Sequence, residues 1–160
     1  MCLLRAVSSF RPPLKDLKTI YIQYVRSLLE QSCVFWHGSI TEEDRANIER
    51  VQKNALRVIL KSSYTTYENA LDKLNLESLE VRREKLSLRF ALKCRNNSHT
   101  KEMFKFKEKN HDMKLRETEA YEINKFNTNR YENSAVPYMQ KQLNEYFKEK
   151  NSTKSNKDQF

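Results

Sequence analysis

Apolar residues recur along the first third of this chain at steps of three and four. Leu14, Leu17, Tyr21, Tyr24 and Leu28, widened by Ile20, Val25 and Leu29, predict a largely buried helix over 14–36. Pro12-Pro13 sets its start, because proline fits the first helical turn, and His37-Gly38-Ser39 ends it. Thr41, followed by Glu42, Glu43 and Asp44, reads as the N-terminus of a second helix over 42–61, with acids at the positive end of its dipole. At about 100° per residue, Val51, Ala55, Val58 and Ile59 fall within about 80° of Ile48 and form a dry face. Arg50, Lys53, Arg57 and Lys61 gather on the opposite side.

Thr66 can cap a short helix carrying Tyr67, Ala70, Leu71 and Leu74, which Asn75 breaks. Ser78 can cap the next helix, over 79–96. There Lys85, Arg89 and Lys93 lie within about 60° of Arg82. Leu79, Leu86 and Phe90 flank this stripe on one side, and Val81, Leu88 and Leu92 on the other. Glu80, Glu84 and Ala91 fall on the far side. The pattern predicts a helix wedged between neighbours, with its basic edge in water or against a polyanion.

Beyond residue 96 the period weakens into a polar stretch rich in Asn, Lys, Glu and Thr. It returns at Val136, Met139, Leu143 and Tyr146/Phe147, predicting a last helix over 136–149. A single glycine, Gly38, is too few for the hairpin turns of a sheet protein, and the commonest residues are good helix formers. The expected fold is therefore all-α, a small irregular bundle of about five helices. It divides into a helical region over 1–96, a loosely ordered connector with short helices over 97–133, a helix within 134–150 and a frayed tail over 151–160.

The formal net charge of +9 suits a nucleic-acid or acidic-membrane partner, or serves solubility alone; among partners RNA or DNA phosphate is the one expected here. Residues 1–100 carry 17 Lys and Arg against 11 Asp and Glu, so most of the excess lies in the part of the chain that holds both basic stripes. No apolar run approaches the ~20 residues of a membrane span. The opening segment is too interrupted for a signal sequence, and the odd, scattered Cys2, Cys33 and Cys94 suit a reducing, intracellular compartment, cytoplasmic or nuclear.

Candidate chemistry is sparse. One glycine cannot build a phosphate-cradling loop, and no Gly-x-Ser-x-Gly elbow occurs. Polymerase chemistry needs close carboxylates around two metal ions, and the sequence has no Asp-Asp pair. No catalytic residue, cofactor or metal site is expected. Cys33 and His37 share a helical spacing, but Cys94, His99 and His111 follow irregularly, so core cysteines and surface histidines account for them better than zinc. Phe35 and Trp36 can stack on bases, though core packing is the commoner use of such residues. The preferred site is the two basic stripes: Arg50, Lys53, Arg57 and Lys61, with Arg82, Lys85, Arg89 and Lys93, each a phosphate contact and not a base reader.

Four strings, in order, carry a resemblance. They are Leu17-Lys18-Thr19-Ile20-Tyr21 with Tyr24 to Glu30 and Val34-Phe35-Trp36-His37; Ile48-Glu49-Arg50-Val51-Gln52-Lys53 running on to Ile59; Tyr67 to Leu71 with Leu74-Asn75-Leu76 and Leu79-Glu80-x-Arg82-Arg83; and Asn129-Arg130-Tyr131-x-x-Ser134 to Met139. Together they resemble the C-terminal, thumb and post-thumb region of LINE-type (non-LTR) retrotransposon reverse transcriptases. The resemblance spans about residues 3–147. It implies a helical region that braces template–primer or contacts the element's RNA, with fingers, palm and catalytic aspartates upstream of Met1 as its natural protein partner. It carries no catalytic residue onto this chain, and it makes Met1 an internal methionine of a truncated copy.

Overall fold

The computed structural model of the protein describes residues 2–104, 121–123 and 126–155. Among these the chain is mostly helical and forms no strand. The α-helices are α1 Cys2–Ser9, α2 Leu14–Ile20, α3 Ser27–Glu30, α4 Cys33–Trp36, α5 Glu42–Leu60, α6 Tyr67–Leu74, α7 Leu79–Asn96, α8 Asn129–Glu132 and α9 Ala135–Ser155. They fall into two compact units, Met1–Cys33 with Ile40–Glu84, and Val34–Ser39 with Lys85–Phe160.

Local chemistry sets several boundaries. Thr41 accepts from the Asp44 amide at 3.2 Å and opens α5, and Thr66 accepts from Asn69 at 3.3 Å and opens α6. Asn75 closes α6 in the left-handed conformation, with the Leu76 amide donating back to the Leu71 carbonyl at 2.9 Å. Ser78 accepts from the Val81 amide at 3.4 Å in the first turn of α7.

The predicted 14–36 helix is interrupted. A π-helical turn, Tyr21–Arg26, separates α2 from α3, and Ser32, with φ 53°, separates α3 from α4. A π turn adds a residue to the repeat and rotates everything after it. The apolar stripe therefore splits: Leu17 and Tyr21 are buried, while Tyr24 and Leu28 are exposed; Leu14, at the start of α2, is exposed as well. Breaks of this kind are also why the helical segments outnumber the five expected. Helix α1, without a counterpart in the sequence reading, is too short to display a period; it buries Leu4.

In the first unit Leu4, Leu17, Tyr21, Leu56, Ile59 and Leu74 are among the buried side chains of one core. The buried face of α5 is Gln52, Ala55, Leu56, Ile59 and Leu60, close to the expected one but with a glutamine at its middle. The second unit has its own core, built on Ala91, Cys94, Phe104, Tyr121, Met139 and Leu143. Ala91, placed by the sequence on the side away from the basic stripe, is buried, and so are Leu79, Arg83, Ser87 and Cys94. These residues recur at steps of four, four, four and three, a helical face whose small and polar members escape a reading based on apolar residues.

Within the second unit the turn after α4 meets the start of α9. His37 is buried, not on the surface as expected, and lies edge-on to Tyr138 at 5.8 Å. Ser39 Oγ donates to the Asn133 carbonyl at 3.1 Å. A Cβ on Gly38 would stand 2.6 Å from Tyr138 Cγ and 2.8 Å from the Asn133 oxygen, so the chain's one glycine marks a close approach.

The 97–133 connector contains a 3-10 turn at Lys101–Met103 and α8, capped by Thr128; residues 105–120 and 124–125 lie outside the described ones. Residues 151–155 were expected to fray and instead continue α9, because neither proline nor glycine follows Pro137 to stop it. Residues 156–160 of that tail are outside the described set.

Candidate nucleic-acid interface

Helix α5 presents Arg50 and Arg57 to solvent, on the side opposite its buried face. Arg57 donates to Asn54 Oδ1 at 3.1 Å and lies over the Tyr64 ring at 5.3 Å. Lys53 is half-buried, its ammonium 5.0 Å from the centre of the Tyr67 ring. Lys61 does not belong to the helical face. The helix ends at Leu60, Lys61 turns away with φ 48°, and its ammonium donates to the Ser8 carbonyl at 2.7 Å.

Arg82 is also committed elsewhere. Its Nε donates to Glu30 Oε1, the same oxygen that Arg26 Nε approaches at 3.6 Å. Burial, and then the neighbouring Arg82 charge, lower the Arg26 pKa, so Glu30 serves as the shared counter-ion of two arginines. These residues belong to the first unit. In the second unit Lys85, Arg89 and Lys93 are exposed along α7. Of the eight cations singled out from the sequence, Arg50, Arg57, Lys85, Arg89 and Lys93 are exposed along their helices, Lys53 is half-buried, Lys61 is exposed but turned onto the Ser8 carbonyl, and half-buried Arg82 is paired with Glu30. Arg50, Arg89 and Lys93 hold no carboxylate partner among the described residues.

Sequence reasoning missed the polar chain beneath α5. Tyr21 Oη donates to Gln52 Oε1. Gln52 Nε2 donates to Tyr67 Oη at 2.8 Å and to the Glu77 carbonyl at 3.0 Å. Tyr67 Oη donates to Glu49 Oε1, which also accepts from the Leu79 amide at 3.2 Å, the first residue of α7. Burial raises the Tyr67 pKa, and the hydrogen bond with Glu49 raises it further. Burial does the same to Tyr21. The fixed backbone of α5 thus sets its outward cations, because Glu49 and Gln52 clamp the inward side. A polar residue on an otherwise dry face was the only available signal.

Phe35, expected to pack inside, is 56% exposed and meets Phe90 edge-to-face at 5.6 Å. Trp36 is half-buried. Among the described residues no group of three or more His, Cys, Asp and Glu is placed to hold a metal ion, and no helix is long and apolar enough to cross a membrane. Cys33 and Cys94 are buried, and Cys2 is exposed. No family model, no curated protein and no solved structure matches the chain.

Proposed function

We propose that this chain is a non-catalytic helical piece of a LINE-type reverse transcriptase that holds RNA or DNA by its phosphates. The supporting observation is the segregation of solvent-facing cations: Arg50 and Arg57 on α5, and Lys85, Arg89 and Lys93 on α7, at helical spacing. Such faces attract a polyanion and release its counterions. Two contacts add weight to the family reading, because each joins two of the resembling strings. Glu49 and Gln52 meet Tyr67, and His37 meets Tyr138. Polymerisation would belong to an upstream palm, which this chain would brace, and the compartment would be intracellular. Reversing charge at Arg57 and Arg89 to glutamate tests the reading: nucleic-acid affinity should be lost while helicity stays as in the parent chain. Undiminished affinity would reject it.

A second reading has its own observation. Phe10 is 84% exposed and Leu28 71% exposed, with Leu14 and Tyr24 exposed too, all in the first unit. Large apolar side chains in water suit a helical scaffold docked on another protein, most naturally the upstream palm. In that case the double charge reversal leaves the protein contact intact, and Leu28→Asp removes it.

A further inference from the structure

We propose that Phe35, with Arg89 and Lys93, forms a landing site for unpaired nucleotides, so that the second unit takes single-stranded RNA or DNA in preference to duplex. The inference rests on the phosphate-binding reading above and narrows its ligand. Phe90 packs against the second core, which holds its ring in place. Phe35 touches that ring edge-to-face and leaves more than half of its own surface in water, so an aromatic surface is kept outside on a firm support. Lys93 follows Phe90 by three residues and so neighbours its ring on the helix surface, and Arg89 lies one turn before Lys93 on the same cationic edge. From Lys85 to Lys93 the cationic edge extends roughly 12 Å along α7. Duplex bases are stacked within their own helix and offer an exposed ring no face, whereas unpaired bases stack on aromatic side chains while cations track the backbone. An acidic peptide would satisfy the cations but would leave Phe35 idle.

The test compares fluorescently labelled oligouridylate with a blunt RNA duplex of matched length, using the full chain. Expected is tighter binding of the single strand, with affinity falling as salt rises. Phe35→Leu, which keeps an apolar contact with Phe90, should weaken the single strand at least about five-fold and leave the duplex and the salt slope unchanged. Phe35→Trp should restore binding. Equal or tighter duplex binding, or a Phe35→Leu chain as good as the parent, overturns this inference and leaves phosphate binding standing. Polyglutamate of matched charge binding as tightly as the oligonucleotide overturns it as well. Absence of binding to either nucleic acid overturns both.

Discussion

Gln52 and Tyr67 are joined under the middle of α5, the glutamine amide donating to the phenol oxygen at 2.8 Å and the phenol donating onward to Glu49. A polar chain in a largely apolar interior stabilises only while each member keeps its partners, since an orphaned buried group bears its full desolvation cost. Tyr67→Phe removes the donor to Glu49 and the acceptor of Gln52 without changing the ring. The first unit should lose about 1–3 kcal/mol, read as a lower urea midpoint with an unchanged slope. A midpoint equal to the parent's would show that the chain contributes nothing.

The same burial gives an alkaline signature. Tyr21 and Tyr67 have folded pKa values raised above the ordinary value of 10.0. Below pH 10 both phenols are protonated, folded or unfolded, and their contribution is intact. Above it the unfolded chain releases protons that the folded one retains, so stability falls as pH rises. Unfolding monitored by circular dichroism should set in above pH 10, with part of the tyrosinate absorbance appearing together with loss of helix. Full ionisation of all eight tyrosines before any loss of helix would contradict this.

Gly38 can be tested by a cycle. A methyl group there must displace the Tyr138 ring or the Asn133 carbonyl. Gly38→Ala should destabilise the second unit by about 1–3 kcal/mol, as overpacking does. Tyr138→Ala opens part of the space, so the double variant should cost less than the two single changes combined. Additive costs would place the strain elsewhere.

Arg82 and Arg89 stand seven residues apart on one edge of α7 and should behave differently. Arg82→Ala strips a partner from half-buried Glu30 and should lower thermal stability, with little change in nucleic-acid affinity. Arg89→Ala should leave the melting temperature within about 2 °C and weaken binding. The reverse pattern would show that the pairing with Glu30 does not govern how Arg82 is used.

The difference between these two arginines shows where the sequence could be read and where it could not. Helix starts at Thr41, Thr66 and Ser78, and the stop at Asn75, were legible because each depends on a hydrogen bond within a few residues. The outward positions of Arg50, Arg57, Lys85, Arg89 and Lys93 followed from helical angle alone. Pairings across long stretches of chain were not legible: Glu30 with Arg82, and Ser8 with Lys61, are joined only by tertiary structure. Nor was the register slip at Tyr21–Arg26, because a π turn leaves apolar spacing intact while moving Tyr24 and Leu28 outward. The buried face of α7 was hidden by its own composition, with Arg83 and Ser87 where leucine would have announced a core.

Salt dependence of nucleic-acid affinity tests phosphate binding most directly. For the parent chain and a short RNA single strand, the logarithm of the association constant should fall linearly with the logarithm of salt concentration, by about 0.7 for each phosphate neutralised. Arg89→Ala should make that slope shallower by about the same amount. A flat line for the parent, or an unchanged slope in the variant, would mean that these exposed cations do not hold a phosphate backbone.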